Sequence, residues 1–387
     1  MGVKTNNAKK FNPEMLRNAR EAKGLTIRDL SSMLDISHQA ISKYENDKAI
    51  PGADILIKLM NILEVPYEFF FKTSKNIESD KVVFFRSKAN TTAKMKRIHE
   101  IKISWLIDIY EYLENIFEYP SVNLINTSNK SNFHFEPTSF KEIEELAINL
   151  RRYWGLNNGP ISDITHLFEK NGIVVSVTQA EDVLVDACSK IRKKDGKLFI
   201  LIGDERAAPS RIKFTLVHEL GHYILHNNVR KTEFNKKDVY KRMEQEANYF
   251  ASAFLMPRDS FSGELLSNSL DYYLLLKRRW NLSIQAMIYR SHELNLINEY
   301  QYSYLWKQIN KKGWRKQEPE DDSLSVEKPT LFKESIDMLL NHNVKSKKLI
   351  CQEIALNHME IELLANLPKN YLADSDTSKN NIITFKR

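Results

Sequence analysis

Cysteine is almost missing from this chain: Cys188 and Cys351 are the only two among 387 residues, and they lie far apart. That excludes a disulfide framework and makes a reducing cytoplasm the natural compartment. Long apolar runs are missing too. No stretch approaches the roughly 18 uninterrupted apolar residues of a membrane helix, so no membrane association is expected. The opening MGVKTNNAKKFNPEM has no apolar core that could act as a secretory signal. Apolar residues at 42% and charged residues at 28% make an ordinary globular composition. The length exceeds what one core usually organises, so two or three domains are expected.

The net charge of +7 hints at an anionic partner. It is concentrated between Phe71 and Lys102, where nine Lys or Arg face three acids. Such a run is ordinarily a solvated linker, and it gains meaning as a phosphate-facing segment only beside a DNA-binding module.

Residues 12–71 read as a compact series of short helices, and 98–118 as one longer amphipathic helix. An Asn/Ser-rich stretch, 123–139, has the composition of a linker. A helix over 140–154 opens a new unit. Two β-branched runs, 172–177 and 197–202, predict strands. Pro209-Ser210 starts a helix running through His226. Further helices extend to about 309, followed by a Gly/Pro/acid-rich break, a helical C-terminal segment and a polar tail. No internal repeat is visible.

The sharpest signal is His218-Glu219-Leu220-Gly221-His222. Histidines at i and i+4 on a helix stand one turn apart on one face. Their rings can therefore converge on one Zn²⁺ at about 2.0–2.1 Å each. Glu219, at the edge of that face, can take a proton from a water that the metal polarises. Val217, Leu220, Ile224 and Leu225 bury the rest of the helix, and Gly221 is expected to leave the metal side uncrowded. A second helix, 243–255, offers a third ligand. Its Glu244 and Glu246 point roughly 200° apart, so only one of them can reach the metal. Asn248 shares the face of Glu244, and Ala247 and Ala251 suit close helix packing. The pair His292-Glu293 has no histidine partner at position 296 and reads as ordinary helix surface. Manganese or another divalent ion could replace zinc at a His₂Glu set.

Residues 140–310 resemble the ImmA/IrrE family of bacterial metallopeptidases, on RIKFTLVHELGHYILH (211–226), EQEANYFASAFLMP (244–257) and WNLSIQAMIYR (280–290). The resemblance implies an α+β zincin-like domain with a thermolysin-like core helix pair. It makes His218, His222 and Glu244 the ligands of one Zn²⁺ per chain and Glu219 the general base. Asn248 and His226 become polar supports of that centre, and Glu246 is left solvated or paired with Lys241 or Arg242. Tyr223, His226 and Tyr249 are candidates for polarising a scissile carbonyl.

Residues 16–71 show helix-turn-helix grammar. Thr26 caps a helix from Ile27 to Leu34, Asp35-Ile36-Ser37 turns, and His38 to Glu45 forms the next helix. Leu16, Leu30, Leu34, Ile36, Ile41, Leu56, Leu59 and Leu63 are spaced to build its core. His38, Gln39, Ser42 and Lys43 point outward where a recognition helix meets base edges. The span resembles the Xre/Cro-like repressor domain, although Ile27 stands where many relatives carry a polar contact residue. Its own charge is nearly balanced, ten bases against nine acids over residues 1–70.

The expected architecture is mostly α and multidomain, with four parts. They are a helix-turn-helix domain at 1–71, a basic segment with helix and linker at 72–139, the peptidase domain at 140–310 and a helical segment with a polar tail at 311–387. The expected function is a DNA-binding regulator that uses a zinc metallo-endopeptidase to cleave a repressor- or antitoxin-like partner in a stress, phage or mobile-element response. A double-stranded DNA operator and a protein substrate are the expected partners, with homodimers allowed. The alternative is a non-proteolytic repressor or antitoxin whose peptidase fold binds a toxin or senses a ligand.

Overall fold

The computed structural model describes residues 10–73, 84–87, 92–125, 134–178, 185–203, 208–234, 236–323 and 328–373. Chain order begins with α1 (Pro13–Ala22), α2 (Ile27–Leu34), α3 (His38–Glu45), α4 (Ala53–Leu63), β1 (Phe84–Ser87) and α5 (Ala93–Glu114). Next come α6 (Phe140–Tyr153), α7 (Ile164–Lys170), β2 (Val174–Val177), β3 (Val185–Ile191), β4 (Leu198–Ile202) and α8 (Pro209–His226). The chain continues through α9 (Lys231–Phe234), α10 (Lys237–Leu255), α11 (Arg258–Glu264), α12 (Leu270–Trp280), α13 (Ile284–Glu293) and α14 (Glu299–Lys311). It closes with α15 (Leu331–Asn341), α16 (Lys347–Ile354) and α17 (His358–Leu364). The fold is mostly helical, and no helix among the described residues is long and apolar enough to cross a membrane.

The chain forms two compact units. The first draws on described residues within 1–77, 91–118 and 330–387, the second on those within 78–90 and 119–329.

In the first unit, α2 starts with a reciprocal cap. Thr26 Oγ1 accepts the Asp29 N–H at 3.1 Å, and Asp29 Oδ2 accepts the Thr26 N–H at 2.7 Å. Asp35 then turns the chain in the left-handed region at φ 55°, and Ser37 caps α3. Leu16, Leu30, Leu34, Ile41, Leu59 and Leu63 form the buried core, while Ile36 and Leu56 are half-buried. Arg20 clamps α1 to α3, its Nε 2.6 Å from Oε1 of the buried Glu45.

Helix α5 begins five residues earlier than its sequence pattern suggests, because Thr92 Oγ1 accepts the Met95 N–H and caps it there. The basic run proves to be several things at once. Lys72 pairs with Asp108, Arg97 with Glu21 and Glu100, and Lys102 with Glu360. Residues 84–87 of the run form β1. Lys75, Lys81 and Lys88 fall outside the described residues.

The C-terminal helices complete this unit against α5. Tyr110 meets Phe332 edge-on with ring centroids 6.4 Å apart, and Tyr112 donates to Glu353 at 2.8 Å. In α16 and α17 the order of caps and turn follows that of α2 and α3. Ser346 caps the eight residues of α16, Ala355 turns at φ 56°, Leu356 is buried, and Asn357 caps α17. Leu30, Leu34 and Ile41 have buried counterparts in Ile350, Ile354 and Ile361. The repeat stops at the outer face: α3 exposes His38, Gln39 and Lys43, whereas on α17 only Met359 is exposed.

In the second unit a four-stranded sheet runs in the order β1-β3-β4-β2. Strands β2 and β4 are parallel, and β3 is antiparallel to both β4 and β1. The expected runs at 172–177 and 197–202 correspond to β2 and β4. Helix α8 packs on this sheet from one side and on α10 from the other, and α6 packs on α10. Burial on both sides explains why buried residues, polar ones included, are spread around the helix instead of along one stripe.

Candidate metal centre

Helix α8 carries His218, Glu219 and His222 into the interior, where they are 0%, 0% and 3% exposed. Helix α10 brings Glu244 to the same place. The ligand atoms of His218, His222 and Glu244 all lie within 4.8 Å of one another. His218 Nε2 and His222 Nε2 are 3.1 Å apart, and the Glu244 carboxylate oxygens lie 3.5 Å and 3.2 Å from them. Two ligands about 2.0–2.1 Å from one tetrahedral ion stand about 3.3–3.4 Å apart, so the spacing suits zinc.

Proton placement sharpens the fit. His218 Nδ1 lies 3.0 Å from Asn248 Oδ1. An amide oxygen only accepts, so His218 is protonated on Nδ1 and presents a lone pair at Nε2. His222 Nδ1 lies 3.1 Å from His226 Nδ1, and His226 Nε2 lies 3.1 Å from Glu246 Oε2. Burial pulls the His226 pKa down to about 4 against the raising effect of Glu246, which favours the neutral ring. A neutral ring that donates from Nε2 to a carboxylate must accept at Nδ1, which makes His222 the donor at its own Nδ1. Both Nε2 lone pairs then converge. Two lone pairs 3.1 Å apart beside a carboxylate form a donor set suited to a cation.

Glu219 is held by a residue that sequence reasoning missed: Ser189 on β3 donates its hydroxyl to Glu219 Oε2 at 2.5 Å. The only sequence signal was a serine on a mixed polar-apolar run, VDACSKI, too polar to stand out as a strand.

The structure corrects one expectation and sharpens two. Gly221 faces α10, the helix that carries Glu244, and an added Cβ there would lie 3.1 Å from Ala247 O and 3.2 Å from Phe250 Cδ1. Glu246 takes the paired alternative, with Arg242 at 2.8 Å, and is 0% exposed. Burial alone would raise its pKa, yet bonds from His226, the Thr138 N–H and Arg242 outweigh that and hold it below the ordinary carboxylate range. Glu293 is not ordinary surface either, since burial raises its carboxyl to about 7 despite the nearby Arg290.

The carbonyl-polarising candidates have other partners. Tyr223 donates to Gly196 O at 3.0 Å and Tyr249 to Glu144 at 3.1 Å, while His226 sits between His222 and Glu246. In the first unit His38, Gln39 and Lys43 are exposed on α3, and Ser42 is half-buried with its carbonyl accepting from Asn46 Nδ2.

A helix-turn-helix unit joined to a metallopeptidase-like unit is the class that fold and site define. Residues 168–292 match the model of the IrrE N-terminal-like domain, a peptidase family, and residues 16–70 match a helix-turn-helix family. The chain is thus a fusion of an Xre-like helix-turn-helix domain with an IrrE-like peptidase domain. A Methanocaldococcus jannaschii protein described as an HTH-type transcriptional regulatory protein is 35% identical over 57 residues, 15% of this chain. The chain spans only 18% of that relative's length. A Mycobacterium tuberculosis transcriptional regulator of solved structure shares 16% identity over 49% of this chain and 50% of its own, with a TM-score of 0.29. A likeness of that size fixes neither fold nor function.

Proposed function

We propose that the chain is a DNA-binding transcriptional regulator with a zinc metallo-endopeptidase domain. The observation that carries this reading is the convergence of two Nε2 lone pairs and the Glu244 carboxylate beside a buried, anchored Glu219. The DNA-reading part lies within residues 1–71 and the peptidase part within 140–310. His218, His222 and Glu244 hold one zinc ion per chain, oriented by Asn248 and His226. The bound ion supplies Lewis-acid polarisation of the scissile carbonyl and of a water molecule. Ser189 anchors one oxygen of Glu219 and fixes the plane of its carboxylate. Glu219 then takes a proton from the attacking water and delivers it to the leaving amine. His38, Gln39, Ser42 and Lys43 contact an operator from the start of α3. The helix-turn-helix fusion points to a protein substrate of repressor or antitoxin type, cleaved in a stress, phage or mobile-element response.

The test uses the purified full chain with zinc and the repressor- and toxin-like proteins encoded beside its gene, with products read by mass spectrometry. Site-specific cleavage is expected, absent from Glu219→Gln although that variant keeps its zinc. Parent protein that retains about one equivalent of zinc and cuts none of them contradicts the endopeptidase reading.

A further inference from the structure

Glu246 belongs to no ligand set, yet it is a fully buried carboxylate. We propose that Glu246 is a positioning residue of the metal centre: through His226 it sets the tautomer and ring angle of His222. The inference rests on the metal-centre reading above and adds a residue to it.

A carboxylate can only accept, so Glu246 Oε2, 3.1 Å from His226 Nε2, places the proton of that ring on Nε2. A His222 that holds the metal through Nε2 keeps its proton on Nδ1, and across 3.1 Å that N–H is donated to His226 Nδ1, which leaves the proton of the second ring on Nε2, facing Glu246. His222 is left with its lone pair on Nε2, the atom 3.2 Å from Glu244. The opposite assignment would set a His226 lone pair against a carboxylate oxygen. One anionic charge thus fixes two successive rings, and the last of them is a ligand.

The carboxylate is itself held in place. Its Oε1 accepts from the Thr138 N–H at 2.9 Å and from Arg242 Nε at 2.8 Å. Arg242 Nη2 also donates to Thr138 O at 2.7 Å and lies over the Phe140 ring at 4.6 Å. The segment before α6 and the middle of α10 therefore hold the far end of a chain that terminates on α8. His226 contributes at the near end by its position one turn beyond His222, with ring centroids 5.3 Å apart. Outer partners of metal-bound histidines typically govern affinity by about 10–100-fold. Glu246 reaches its ligand through one intervening ring and is expected in the lower part of that range.

The experiment measures zinc affinity of the full chain by competition with a chromophoric chelator, with no cleavage assay involved. Glu246→Gln should weaken zinc binding about tenfold, and His226→Ala by at least as much. The double variant should lose little more than His226→Ala alone, because one chain is broken only once. Arg278→Ala breaks an ion pair with Glu320 in the same unit, away from this chain of bonds, and should leave zinc affinity within about twofold, whatever it does to the melting temperature. A carboxylate that only held the helices together would move melting temperature and not affinity.

Nitrogen NMR of the unmodified zinc-loaded chain, labelled at histidine, gives an arm that needs no variant. It should find His222 protonated at Nδ1, and His226 protonated at Nε2 and bare at Nδ1. Zinc affinity unchanged in a folded Glu246→Gln protein, or His226 carrying its proton on Nδ1, overturns the proposal and leaves the metal centre standing. Parent protein that binds no zinc overturns both.

Discussion

Gly221 offers a way to separate the stability of the peptidase unit from the geometry of its metal centre. An alanine there places a methyl carbon 3.1 Å from Ala247 O, 3.2 Å from Ala247 Cα and 3.2 Å from Phe250 Cδ1. Comfortable carbon contacts lie near 3.5–4.0 Å, so the overlap at the two carbons is about 0.3–0.8 Å. Two of the three opposing atoms are backbone of α10 and cannot rotate away. Overpacking of this kind costs about 1–3 kcal/mol, while replacing a mid-helix glycine with alanine returns up to about 1 kcal/mol of helix propensity. The net is a loss of roughly 0–2 kcal/mol. For a unit of this size that lowers the melting temperature by no more than about 8 °C. The metal centre is less tolerant. Helix α8 supplies both histidines and α10 supplies Glu244. A few tenths of an ångström between the helices exceeds the roughly 0.2 Å within which ligand distances must fall. Gly221→Ala should therefore lower zinc affinity tenfold or more while the metal-free protein melts close to the parent; Gly221→Val should lower both. Calorimetry of the metal-free proteins and chelator competition make the comparison. If Gly221→Ala melts higher than the parent and binds zinc equally well, the spacing of α8 and α10 is not set at this glycine.

Gln39→Ala and Lys43→Ala should weaken operator binding by about 1–3 kcal/mol each with zinc content unchanged, as read by gel shifts at fixed salt. Equal weakening on random DNA would make both residues backbone contacts. Lys277 is 0% exposed between Glu318 at 3.0 Å and Asp321 at 2.5 Å. Lys277→Met leaves two buried carboxylates without their cation and should cost about 3–5 kcal/mol in urea unfolding; a loss below about 1 kcal/mol would show that the acids relax to solvent. Glu293, with its folded pKa raised from 4.5 to about 7 by burial, binds a proton more tightly folded than unfolded. Its contribution is complete below about pH 4.5 and is lost as pH rises through 7. Glu293→Gln should accordingly flatten the fall in melting temperature between pH 5 and pH 8, and an unchanged slope would refute the shift.

The parts of this molecule that were legible in the sequence are those written by local rules. The turn at Asp35–Ser37, the cap Thr26, the span of α8 and the face shared by Glu244 and Asn248 follow from spacing within one or two helical turns. What escaped depends on distant segments. Glu246 looks like any helix-surface acid until Thr138, Arg242 and His226 close around it. Strand β3 is too polar to announce itself, and β1 has four residues inside a basic run. That Gly221 meets the backbone of α10 also escaped, because helical period alone does not say which neighbour a bare face meets. The C-terminal helices carried no motif, since their burial is completed by α5, more than 200 residues earlier.

That last separation sets a clock on the molecule's manufacture. The residues from Tyr119 to Pro329, which belong to the second unit, take about 10–40 s to synthesise at ~5–20 residues per second. Throughout that interval the surface of α5 that receives Phe332, Glu353 and Glu360 has nothing to receive. The peptidase unit thus has time to fold before the unit holding the helix-turn-helix can close. A chain released early, before residue 330, would carry the metal-binding side chains and leave Tyr110 facing water, a natural handle for chaperones and for degradation.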